Sequence, residues 1–108
     1  MAKYLLIESR DPFDSSDSQY FPELVQGISD RGNDTVLFLV QNGVLPVRKG
    51  SKYCEAMSRL IRNKIKVLAD SFSLKERAIS NLVEGVEIAD MDRLLDLLLE
   101  PGTKTIWH

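Results

Sequence analysis

Cys54 is the chain's single cysteine and its strongest nucleophile, and His108 is its single histidine. One of each excludes an internal disulfide and a cysteine-cluster metal site, and leaves histidine-based triads almost nothing to build on. Cys54 follows Ser51 and Lys52 at the expected start of a helix, where backbone amides and positive charge favour a thiolate. It is also three residues before Met57 and seven before Ile61, a spacing that sets it on the border of a buried stripe as a small hydrophobe. A second group of polar residues sits where short apolar runs end: Gln41, Asn42 and Gly43 after one run, and Asp70, Ser71 and Ser73 after another. Ligands of open α/β sheets gather outside the carboxyl ends of the strands, so Gln41, Asn42, Gly43, Ser71 and Ser73 form a candidate binding loop with Asp70 as its candidate catalytic carboxylate. The same residue types also make turns and helix caps.

Several chemistries lack their residues. Asp11, Asp14 and Asp17 have a spacing reminiscent of a calcium loop, but no glycine stands at the sixth place and no closing bidentate acid follows, so no metal site is expected. No G-x-G-x-x-G, Walker or G-x-S-x-G pattern occurs, and no cofactor is expected.

The elements that must position these residues are legible as runs and stripes. Residues 35–40 supply an apolar run without alternation, which describes a strand covered on both faces, hence the interior of a mostly parallel sheet. Shorter runs at residues 3–8, 65–69, 86–88 and 103–107 are the other four strands. Phe21, Leu24, Val25 and Ile28 make a helical stripe; Gly32 ends that helix in the left-handed region. Asn42-Gly43 is expected to turn with positive φ, and Pro46 and Gly50 to keep the following loop from becoming helical. Ser51 is the expected N-cap of a helix with the stripe Tyr53, Ala56, Met57, Leu60 and Ile61. Ser73 to Glu76 fits a capping box for a short helix through Ile79. Asp90 caps a last helix containing Met91, Leu94, Leu95 and Leu98, stopped by Pro101-Gly102. Strands alternating with helices, with connections long enough for right-handed crossovers, predict an α/β fold: a three-layer α/β/α sandwich with a five-stranded mostly parallel sheet, and one domain over residues 1–108.

Charge is segregated along the chain. Residues 48–66 hold seven basic side chains against Glu55, and residues 81–100 hold six acidic ones against Arg93. The two stretches are either solvated faces or complementary surfaces used in assembly. The basic stretch has no interleaved aromatic beyond Tyr53 and the sequence pI is near 5.4, so direct nucleic-acid binding is not expected. No apolar run reaches about 18 residues, and the start leads straight into a strand, so neither a membrane span nor a signal peptide is indicated and a cytoplasmic location is expected. Leu94, Leu95, Leu97, Leu98 and Leu99 give the last helix more apolar surface than one core-facing stripe needs, which predicts an oligomer.

Gln41-Asn42-Gly43-Val44 after the second strand, Tyr53 and Met57 in the next helix, Ile65-Lys66-Val67 opening the third strand and Trp107 at the end resemble, in that order, the DsrE/DsrF/DsrH (TusB/TusC/TusD) sulfur-relay family, and within it the DsrH/TusB branch. The resemblance spans nearly the whole chain and implies the strand order 4-3-2-1-5. In the DsrE/TusD branch a cysteine near the end of strand three carries a persulfide; that place falls here at Asp70 or the adjacent Ala69. What the resemblance implies is therefore an accessory, non-catalytic subunit of a relay serving tRNA thiolation or sulfur oxidation. Its implied partners are homologous relay subunits or further copies of itself, with a DsrC/TusE-like sulfur acceptor beyond them. The alternatives are a carrier using Cys54, and a small-molecule binding module at the strand-end loops.

Overall fold

The computed structural model describes residues 2–13 and 20–108. Asp14 and Asp17 of the acidic spacing lie outside the described residues; Asp11 uses its carboxylate locally, Oδ1 accepting the Phe13 N–H at 2.8 Å. The described chain runs β1 (Lys3–Glu8), α1 (Phe21–Asp30), β2 (Asp34–Leu39), a 3-10 segment (Gln41–Val47), α2 (Cys54–Arg62), β3 (Lys66–Asp70), α3 (Ser71–Glu76), β4 (Glu87–Ala89), α4 (Met91–Leu99) and β5 (Thr103–Trp107). All four strand pairs are parallel and the order is β4-β3-β2-β1-β5. The α/β architecture and the interior place of the second strand are thus as expected, with β2, β3 and β4 each starting within one residue of the expected position.

Pleating divides the apolar runs between two cores. Leu5, Ile7, Phe38 and Leu68 point to one face, where Leu94 and Leu97 of α4 cover them. Leu6, Leu37, Leu39, Val67 and Ala69 point to the other, against Phe21 and Val25 of α1, Met57 and Leu60 of α2 and Leu74 of α3. Both faces being covered is why these strands read as unbroken apolar runs.

Local chemistry sets the ends. Pro22 sits in the first turn of α1, where its missing N–H has no helical partner to lose. Gly32, at φ +84°, closes the helix as expected, and Asn33 ties that corner to the sheet: its Nδ2 donates to the Ile28 carbonyl and its Oδ1 accepts the Ala2 N–H. Asp90 caps α4 through the Arg93 N–H at 3.0 Å.

Several local expectations are corrected. The helix carrying Cys54 begins three residues past Ser51; Ser51 builds the preceding turn instead, its Oγ accepting the Tyr53 N–H and donating to the Pro46 carbonyl. The segment Gln41–Val47 is 3-10 rather than irregular, because the fixed φ of Pro46 lies within the 3-10 range. Positive φ falls on Gln41, at +52°, and not on Asn42-Gly43. The third helix is capped by Asp70 rather than by Ser73, and it ends at Glu76 rather than Ile79. The predicted stripe of α1 also loses Leu24, which is exposed while Phe21 and Val25 are buried.

Candidate functional site

Parallel pairing places the end of β3 beside the end of β2, and with it Asp70 beside the 3-10 segment. Asp70 is 2% exposed and its Oδ2 accepts two hydrogen bonds, from the Ser73 N–H at 3.0 Å and the Ser73 hydroxyl at 2.6 Å. The Ser73 Oγ in turn accepts the Gln41 N–H at 2.8 Å, which spends on a side chain the amide that the positive φ of Gln41 turns inward. Arg77, one turn after Ser73, donates from Nε to Asn42 Oδ1 at 3.0 Å and from a terminal nitrogen to the Ser73 carbonyl at 3.2 Å. Asp70, Ser73, Gln41 and Asn42, grouped from sequence, thus form one network, and Ser71 is half-buried at the start of α3. A buried carboxylate that accepts two hydrogen bonds is a fixed acceptor and a helix cap; the geometry locks two loops together.

Gly43 belongs to the same corner for another reason. A Cβ built on it would lie 2.1 Å from the Glu8 carbonyl oxygen, so only glycine lets the segment after β2 pass over the end of β1. That carbonyl also accepts the Val40 N–H at 3.0 Å.

Cys54 lies apart from this network. It opens α2, is half-buried, and packs against the edge of the core as well as meeting polar groups. The Gly50 N–H donates to its Sγ at 3.1 Å, and the thiol reaches the Arg48 carbonyl at 3.5 Å and Ser51 Oγ at 3.7 Å. The Lys52 ammonium stands 5.5 Å from the centre of the Tyr53 ring, engaged with that face. The loop around Cys54 is stitched to residues 81–83, through the Lys49 N–H on the Asn81 carbonyl and the Val83 N–H on the Val47 carbonyl.

Two groups escape a reading of the sequence alone. Arg77 has one signal, its spacing of four from Ser73. Glu8 has another, an acid closing a fully apolar run; it is 4% exposed. An open cleft of about 460 Å³ lies at the opposite end of the sheet, with Lys3, Asp34, Lys66, Arg93 and Glu100 among its lining residues. Charges of both signs, including the Lys3–Glu100 ion pair, face that cleft, and it is remote from the strand carboxyl ends where the polar loops converge. On α2, the Arg62 guanidinium holds the Glu55 carboxyl below the usual carboxylate range, but both groups are exposed and the pair adds little to stability. No group of three or more metal-ligating side chains occurs among the described residues, and none of their helices is long and apolar enough to cross a membrane.

A family described as DsrE/DsrF-like matches residues 2–107. Among solved structures, the ychN protein of E. coli superposes with a TM-score of 0.86 at 20% identity, covering 98% of this chain and 100% of that one. A protein of unknown function from Methanobacterium thermoautotrophicum gives 0.82 at 19% identity, over 98% and 97% of the two chains. A conserved protein of unknown function from Bacteroides thetaiotaomicron gives 0.81 at 14%, over 99% and 95%. No curated protein matches the sequence significantly. At these identities the structural likeness concerns the fold.

Proposed function

Because the chain belongs to the DsrE/DsrF-like family, we propose that it is an accessory subunit of a sulfur-relay assembly, of the DsrH/TusB kind, which helps to hold a persulfide-carrying homologue rather than carrying the sulfur itself. The observation that supports this reading is Asp70. It stands at the end of β3, where the resemblance places the carrier's cysteine, and its carboxylate is buried and committed to capping α3. A carboxylate cannot hold a sulfane sulfur, and neighbouring Ala69 is fully buried and has no nucleophile.

Sulfur loading tests the reading. In transfer from a cysteine desulfurase, a thiolate attacks the terminal sulfur of the donor persulfide, forms a new S–S bond and releases the donor thiolate, so one sulfur is added per acceptor thiol. After incubation with a desulfurase and cysteine, intact mass measurement should show the unmodified chain. A gain of one sulfur, about 32 Da, that disappears in Cys54→Ser would replace the accessory reading with a Cys54 carrier.

The assembly part of the proposal draws on α4. Leu94 and Leu97 face the core, whereas Met91, Leu95, Leu98 and Leu99 form a second, exposed stripe at i, i+4, i+7 and i+8, with Leu99 at 79% exposure. Asp92, Asp96 and Glu100 flank that stripe, and the basic stretch at α2 offers the opposite charge on a second or homologous chain. Sedimentation at tens of micromolar should therefore show species heavier than the 12.2 kDa chain, or binding of a homologous chain. The double variant Leu95→Asp, Leu99→Asp should weaken that association more than about tenfold, since each exposed leucine buried in an interface contributes on the order of 1.5 kcal/mol. A wild-type chain that remains 12.2 kDa and binds no homologue sinks this part.

A further inference from the structure

His108 is held through both its backbone and its ring. Its N–H donates to the Ile7 carbonyl at 2.8 Å, and its own carbonyl accepts from both the backbone N–H and the hydroxyl of Ser9, each at 3.0 Å. The imidazole stacks on the Phe21 ring, 5.4 Å between centroids and 13° from parallel. Its Nδ1 lies 2.8 Å from Glu8 Oε2, while Glu8 Oε1 accepts the Arg10 N–H at 2.8 Å. A buried carboxylate that already accepts from a backbone amide takes the Nδ1 proton as its second donor. In the neutral ring that bond fixes the tautomer and leaves the lone pair on Nε2.

His108 also lines an open groove between α1 and β5. The groove has a volume of about 200 Å³ and is lined by Tyr20, Phe21, Leu24, Ile106, Trp107 and His108. Apart from the tyrosine hydroxyl, the indole N–H and the imidazole, its side chains are apolar. Tyr20 and Trp107 are 65% and 64% exposed. A cavity of about 150 Å³ suffices for benzene, so this space matches one substituted aromatic ring. An apolar groove with one pre-oriented acceptor selects a ring that carries a hydrogen-bond donor.

We propose that His108, oriented by Glu8, is the hydrogen-bond acceptor of a binding site for a small phenolic compound in the groove between α1 and β5. The site is separate from the Asp70 network and does not depend on the sulfur-relay reading.

Three probes of one shape isolate the hydroxyl: p-cresol, p-xylene and p-toluate. Because the chain has one histidine, its imidazole proton resonance reports each titration of untagged protein without overlap. p-Cresol should shift it saturably, with p-xylene binding about fivefold more weakly for want of the hydrogen bond and p-toluate no tighter than p-cresol. Equal affinity for p-cresol and p-xylene would reduce the groove to an apolar patch. Tighter p-toluate would mean that an imidazolium, not a neutral acceptor, faces it; no saturable shift would remove the site. Imidazole nitrogen shifts supply a second readout that needs no ligand. They should place the proton on Nδ1, and Glu8→Gln should move it to Nε2, because the amide oxygen would keep the Arg10 N–H and turn its NH₂ toward Nδ1. A proton already on Nε2 in the unsubstituted chain overturns the proposal.

Discussion

Gly43→Ala should cost about 3 kcal/mol, the upper end of what overpacking does, and lower the unfolding midpoint by roughly 10 °C or more for a chain of this size. The new methyl would meet the Glu8 carbonyl oxygen at 2.1 Å, and the obstacle is backbone, which cannot turn aside as a side chain does. That carbonyl is also fixed by the Val40 N–H, so relief requires the 3-10 segment to lift away from β1 and to strain the Gln41 and Asn42 contacts with Ser73 and Arg77. Gly27→Ala is the matched control. Gly27 lies within α1 and has nothing within 4 Å of an added Cβ, so the substitution should stabilise the fold by about 0.5–1 kcal/mol through helix propensity alone. Urea unfolding of the two variants tests the contrast; a Gly43→Ala loss of less than about 1 kcal/mol would show that the segment moves freely over β1.

Asp70→Ala should be nearly as severe, about 3 kcal/mol. Loss of a helix N-cap accounts for roughly 1 kcal/mol, and removal of a charged acceptor from a buried hydroxyl for roughly 1.5–3 kcal/mol. Ser73 Oγ is the shared atom, donating to Asp70 and accepting from Gln41, so the substitution should also speed exchange of the Gln41 amide, which lies 32 residues from Ser73. Asp70→Asn keeps an acceptor for the Ser73 N–H and should lose only about 1 kcal/mol. Equal losses for the two variants would mean that Asp70 matters for the volume it fills rather than as an acceptor. Since position 70 is 2% exposed, a thiol placed there by Asp70→Cys should react with a soluble reagent far more slowly than in the unfolded chain, unless the strand-end loops part.

How much of this was visible beforehand follows from the range of the forces involved. The order of elements, the interior position of β2, the stop at Gly32 and the Asp90 cap depend on neighbours within about one helical turn or one strand, and the sequence carries them directly. The grouping of Gln41 and Asn42 with Asp70 and Ser73 was legible too, because parallel strands deliver their carboxyl ends to one edge. The choice between Asp70 and Ser73 as cap was not. Both are good capping residues three positions apart, and the Gln41 amide, supplied by a neighbouring strand end, gives the Ser73 oxygen another partner. Nor could the sequence say which leucines of α4 face inward, since its leucines are adjacent enough to offer two stripes and only the sheet selects Leu94 and Leu97. The need for glycine at 43 arises from a carbonyl 35 positions away, and the pairing of Glu8 with His108 spans 100. Contacts of that range leave no local pattern; they exist only once β1 lies between β2 and β5, which is a property of the folded sheet.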